Sequence, residues 1–66
     1  MFKDKLKEYR KNLGLSQEEL GKKIFVSRSA VAKWEQGRGM PNDQSMDDLA
    51  NLFEVSKEEL YDYKDV

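Results

Sequence analysis

The stretch LSQEELGKKIFVSRSAVAKWEQG, Leu15 to Gly37, decides the fold, because it holds two helix starts whose caps lie 11 residues apart. Ser16 is followed three residues later by Glu19, a capping box in which each side chain satisfies a backbone N–H at the helix start. Leu15 and Leu20 flank the box as a hydrophobic staple. The helix that follows has Leu20 and Ile24 as its apolar stripe, with Gly21 small enough for another helix to come close. Ser27 is the second cap, stapled by Val26 and Val31, and its helix carries Val31 and Trp34 inward until Gly37 ends it. The interval leaves about two turns of helix and a turn of three or four residues, the spacing of a helix-turn-helix and not of a flat antiparallel hairpin.

Toward the N-terminus, Phe2, Leu6, Tyr9 and Leu13 recur at intervals that line one face of a helix, and Gly14 supplies the left-handed residue that stops it. Toward the C-terminus, GRGMPNDQ from Gly37 to Gln44 reads as an ordered loop. Ser45 is then expected to cap a fourth helix with Met46, Leu49 and Phe53 inward, and Asp47 and Asp48 as first-turn acids favoured by the helix dipole. Ser56 with Glu59, flanked by Val55 and Leu60, repeats the box and staple for a short fifth helix, with a frayed end from Asp62 to Val66. No stretch alternates with the period of a strand. The expectation is an all-α protein, a compact five-helix domain with a helix-turn-helix formed by helices two and three, about residues 16–37.

The 66 residues allow a single domain, 1–66, without room for a deep substrate cavity. Charged residues make up 38% of the chain, yet Leu, Ile, Val and Phe together remain above the share typical of disorder, so a thin core under a charged surface is expected. With no Cys and no His, the chain lacks a disulfide scaffold, a thiolate metal site, the commonest zinc ligand and the usual general base. Asp47 and Asp48 are adjacent and diverge by ~100° on a helix, so they cannot share a carboxylate site. An enzyme is therefore the least favoured class, and no cofactor, metal or small-molecule ligand is indicated. Apolar runs reach three residues at most, which provides neither a membrane span nor a secretory segment, so a cytoplasmic protein is expected.

The net charge of −1 conceals an asymmetry. Residues 1–38 hold ten basic and five acidic residues, net +5, whereas residues 39–66 hold two basic and eight acidic, net −6. A basic half of this kind suits a phosphate-binding face, since much of the affinity for nucleic acid comes from counterions released at Lys and Arg contacts.

The run from Leu13 to Gly37 resembles the lambda-repressor-like helix-turn-helix domains of phage repressors, Cro proteins and related bacterial regulators. Arg10, Gln17, Leu20, Val26, Ser27, Val31, Trp34, Glu35 and Gly37 stand at family positions, as do Pro41, Leu49, Ala50, Phe53, Val55 and Leu60 further on. One residue departs from the pattern: Phe25 stands in the turn where the family usually has Gly, at a position that tends to need positive φ. Either Phe25 accepts the strain and packs its ring usefully, or helix two ends in a slightly different manner; the first is expected, because both flanking staples are intact.

Helical spacing places Arg28, Ser29, Ala32, Lys33 and Gln36 opposite Ala30, Val31 and Trp34, and none of the five is acidic. The resemblance implies that this third helix enters the major groove of double-stranded DNA with its N-terminal residues at the base edges. Arg28, Ser29 and Lys33 are then the base-reading candidates, Arg28 and Lys33 toward guanine O6 and N7. Phosphate contacts are assigned to Gln17 at the start of helix two, Ser27 at the turn, Gln36, Arg38 and Asn42 around the loop, and Lys22 further out. Similar domains join Arg10 to Glu35, a pair that positions the third helix, and Trp34 reads as core. Met40, Met46, Phe53, Tyr61 and Tyr63 are candidates for an apolar dimer patch shared with the core. The function implied is a DNA-binding transcriptional regulator, a repressor acting as a homodimer on a palindromic operator. The rival is an antitoxin-like or adaptor module that keeps the fold and binds a protein through its acidic half.

Overall fold

Both capping serines start helices. In the computed structural model, which describes residues 1–61, Ser16 Oγ accepts from the Glu19 N–H at 3.0 Å and Glu19 Oε1 accepts from the Ser16 N–H at 2.8 Å, opening α2 (Gln17–Ile24). The bond to the Ser16 amide holds the Glu19 carboxyl below its ordinary pKa. Ser27 Oγ accepts from the Ala30 N–H at 3.1 Å and opens α3 (Arg28–Glu35). The other elements are α1 (Phe2–Asn12), α4 (Asp43–Phe53) and α5 (Lys57–Tyr61), so the described residues are all-α with five helices and no strand. The end expected to fray, 62–66, and with it Tyr63, lies outside the described residues.

The start of α4 differs from the expectation. Asn42 is the cap, its Oδ1 accepting from the Ser45 N–H at 2.9 Å, and Ser45 lies buried within the first turn. Asn serves as a cap as well as Ser does, and here it takes the place that follows Pro41. The shift makes Asp43 the first-turn acid and carries Asp47 and Asp48 into the second turn, where Asp47 pairs with Lys57 at 3.0 Å and Asp48 accepts from Gln44 at 3.1 Å. At α5, Ser56 Oγ accepts from the Glu59 N–H at 3.1 Å, while Glu59 Oε1 accepts from the Tyr9 hydroxyl at 3.2 Å.

Four helices end in the same way. At Gly14, Phe25, Gly37 and Glu54 the chain turns through positive φ, and the next N–H closes back five residues: Leu15 to Arg10, Val26 to Gly21, Arg38 to Lys33 and Val55 to Ala50. Glycine adopts this conformation freely, but Phe25 (φ 63°) and Glu54 (φ 58°) carry a Cβ there at a cost of about 1–2 kcal/mol each. Only the first of these strained turns is foreseen in the sequence. The expected packing of the Phe25 ring is overturned, since the residue is 91% exposed. A chain that has just reversed through the left-handed region points this side chain away from the stripe formed by Leu20 and Ile24.

Leu6, Leu20, Val31, Met46, Leu49 and Leu60 are fully buried, so each helix contributes at least one side chain to a shared core, with Phe2, Ile24, Trp34 and Ala50 around it. Met46 is thereby removed from the proposed dimer patch, and Phe53 is half-buried with its ring centroid 5.2 Å from that of Tyr9. Leu13 also leaves the expected stripe: α1 ends at Asn12, and Leu13, at the cap, is 49% exposed. Gly21 is required by closeness, but to the turn and not to another helix. A Cβ there would sit 2.6 Å from the Val26 carbonyl oxygen.

With the Phe25 ring in solvent, Phe25→Gly removes strain without opening a cavity. Against about 1–2 kcal/mol of relief stands the extra unfolded-state freedom of glycine, about 0.5–1 kcal/mol. Urea titration is expected to show the variant more stable than the natural chain by about 0.5–1 kcal/mol, and a loss of stability would show that the ring packs after all.

Candidate nucleic-acid interface

What fixes α3 in place is a charged cluster under its C-terminal end. Glu35 is the last residue of α3, and its side chain is only 2% exposed. The Arg10 guanidinium reaches it from α1 with two donors, Nε to Oε2 at 2.6 Å and Nη2 to Oε1 at 3.1 Å, in the bidentate geometry that such a pair favours. The third donor, Nη1, reaches the Leu15 carbonyl at 2.7 Å, which ties in the turn between α1 and α2. Gln17, the first residue of α2, adds its Nε2 to Glu35 Oε1 at 3.2 Å. Three helices therefore meet on one carboxylate, and among the described residues no buried side-chain polar atom lacks a partner.

Burial of Val31, Trp34 and Glu35 sets the rotation of α3 about its axis. Arg28, Ser29, Lys33 and Gln36 are exposed on its remaining face, with Ala32 half-buried beside them. Ser27 and Lys22 are exposed nearby, the former holding the cap of α3 with its oxygen and keeping its O–H as a donor. In the loop, Arg38 and Asn42 are exposed, and Arg38 Nη1 lies 3.5 Å from Gln36 Oε1. Asn42 spends its carbonyl oxygen on the α4 cap, which leaves its NH2 group to donate outward. Gln17 is half-buried, with one amide hydrogen directed to Glu35 and a second still available.

From Leu20 through Trp34 the chain contains no acidic residue, while Lys22, Lys23, Arg28 and Lys33 are all exposed. Lys23 is not among the candidates that the family positions and the outer face of α3 single out, and only the acid-free run as a whole points to it. Of the described acidic residues in the C-terminal half, Asp43, Asp47 and Asp48 lie on α4, Glu54 at its C-cap, and Glu58 and Glu59 on α5, and Asp47 and Lys57 neutralise each other in part. Trp34 is 8% exposed and belongs to the core.

Two short helices joined by a capped turn, the second offering an acid-free face, define a helix-turn-helix domain. The helix-turn-helix family matches the chain over residues 6–60. The chain belongs to that family, in its lambda-repressor-like branch. It is 41% identical over 59 residues to the HTH-type transcriptional activator BcrR of Enterococcus faecalis, covering 89% of this chain and 29% of that protein. It is 38% identical to an uncharacterized HTH-type transcriptional regulator of Methanocaldococcus jannaschii over 97% of both chains. Among solved structures, the P22 c2 repressor in complex with a synthetic operator superposes with a TM-score of 0.87 at 28% identity, over 91% of each chain.

The buried pair generates an asymmetric expectation. Arg10→Ala leaves the Glu35 carboxylate buried without its guanidinium and is expected to cost about 3–5 kcal/mol in urea titration. The double replacement Arg10→Met with Glu35→Leu, which removes both charges and keeps apolar volume, is expected to regain most of that loss.

Proposed function

We propose that the chain is a sequence-specific DNA-binding transcriptional regulator, a repressor that reads a palindromic operator in the major groove as a homodimer. The observation that carries this reading is the exposed, acid-free face of α3, held in one rotational setting by the burial of Val31, Trp34 and Glu35. Arg28, in the first turn of α3, offers a planar fork to guanine O6 and N7. Ser29 beside it donates or accepts, and Lys33, a turn further along, is a point charge for a base edge. Gln17, Ser27, Gln36, Arg38, Asn42 and Lys22 surround that face with phosphate donors, so that contacts which orient and contacts which read are separated in space. Arg10 and Glu35 position α3 without touching DNA.

Size supports the dimer. A helix of eight residues spans about 12 Å and reads only a few base pairs, whereas two copies on half-sites one helical turn apart read a palindrome. The repressor bound to operator among the structural relatives supports the docking, and an activator among the sequence relatives shows that the fold also serves the opposite sign.

Selection from random duplexes is expected to enrich a palindrome, and affinity should fall with salt along a log–log slope of about −4 to −8 for a dimer, despite the acidic pI of 5.4. No enrichment above background would favour the protein-binding module instead. On the selected duplex, Arg28→Ala should cost about 1–3 kcal/mol and relax one base pair per half-site, with little effect on random DNA. Gln17→Ala should weaken selected and random duplexes by similar factors. The reverse pattern would overturn the docking.

A further inference from the structure

The ring of Phe25 contributes nothing evident to the fold, although its backbone closes the end of α2. Its ring is 91% exposed and its backbone is held at φ 63°, so both side chain and main chain are unfavourable in the free protein. Its surroundings are equally distinctive. Lys22 and Lys23 precede it in the last turn of α2, and Ser27 and Arg28 follow it at the start of α3. Within the acid-free run Leu20–Trp34 it is the one exposed apolar side chain, since Val26, Ala30 and Ala32 are half-buried and Leu20, Ile24, Val31 and Trp34 buried. Only Val26 and Ser27 separate it from Arg28, so their Cα atoms lie within about 11 Å of each other, at the end of α3 that the proposed docking puts into the groove.

An apolar ring surrounded by cations calls for a polyanion that carries apolar features of its own. Duplex DNA meets that description: in the major groove each thymine presents a 5-methyl group, the one apolar element among donors and acceptors. We propose that Phe25 is a specificity-determining residue, its ring seated against thymine methyl groups beside the base pair read by Arg28. The inference rests on the docking proposed above and extends it with an apolar contact that the polar candidates on α3 do not supply. The strain at the turn places the ring outward, where an unstrained turn with glycine would place none.

The test uses the duplex selected by the natural chain, made either with thymine or with deoxyuridine, which keeps the pairing and lacks the methyl. Phe25→Gly is expected to bind the thymine duplex about five- to tenfold more weakly while unfolding at a higher temperature than the natural chain. Deoxyuridine at the contacted position is expected to weaken the natural chain by about threefold to fivefold, the worth of one methyl group, and to leave Phe25→Gly unchanged. Phe25→Asn, which tolerates the left-handed turn, should behave as Phe25→Gly does, and Phe25→Leu should retain part of the sensitivity to the methyl.

Equal affinity of Phe25→Gly and the natural chain overturns the inference. So does a methyl effect of the same size in both, or a Phe25→Asn variant that binds and responds like the natural chain. In each of these cases the proposed function stands, because the natural chain has selected its duplex. If the natural chain selects none, the function fails first and the inference falls with it.

Discussion

A carboxylate that is 2% exposed exists in this fold because three donors reach it from two other helices. Stripped of water, Glu35 depends on Arg10 for charge and on Gln17 for a further hydrogen bond, and Arg10 in turn holds the Leu15 carbonyl. Neither ion can leave without stranding the other in a low-dielectric interior, so the ends of α1, α2 and α3 are held in mutual register. The apolar core alone would not achieve this. Leu6, Leu20 and Val31 attract one another without direction, and such contacts tolerate sliding that a bidentate pair with a 2.6 Å bond does not.

The beginnings of the helices were legible in the sequence, and their ends less so. A capping residue announces itself by type, by a Glu three residues on or by a flanking staple, which is why Ser16, Ser56 and, with only the staple of Val26 and Val31, Ser27 stand where they are expected. The exception shows how the signal fails. Asn42 and Ser45 are both good caps, three residues apart, and the choice depends on where the loop delivers the chain, which local composition does not specify. Endings depend on a backbone angle, and sequence reveals that angle only when glycine supplies it. Gly14 and Gly37 are therefore readable, Phe25 is marked through resemblance alone, and Glu54, with the same geometry, carries no signal in the sequence. Leu13 misled for a related reason, since its periodicity continues past the residue at which the helix stops.

The site was legible to a different degree. Periodicity sufficed to put Arg28, Ser29, Lys33 and Gln36 on the outer face of α3, because an inward stripe of Val31 and Trp34 leaves no other side for them. The hydrogen bond from Gln17 to Glu35 was not readable, since it joins residues 18 apart through a side chain assigned wholly to the surface. Nor could spacing decide the fate of the Phe25 ring. Apolar residue type argued for burial, and the left-handed turn argued against it; the backbone prevailed because a reversed chain cannot aim its Cβ back at the core.

The same logic explains how so thin a core can present a defined outer face on α3. Helix α3 has eight residues, of which Val31, Trp34 and Glu35 are buried. Turning it by one residue, about 100°, would bring Ala32 or Lys33 into the core and expel either an aromatic ring or a paired carboxylate. Desolvating an unpaired lysine, or leaving Arg10 without its acid, costs several kcal/mol against the 5–15 kcal/mol that small domains possess, roughly. A small domain cannot accommodate that and remain folded. The outward direction of Arg28, Ser29 and Lys33 is therefore set by the residues that cannot come out, and that outer face needs no rigidity beyond what burial of the opposite face already imposes.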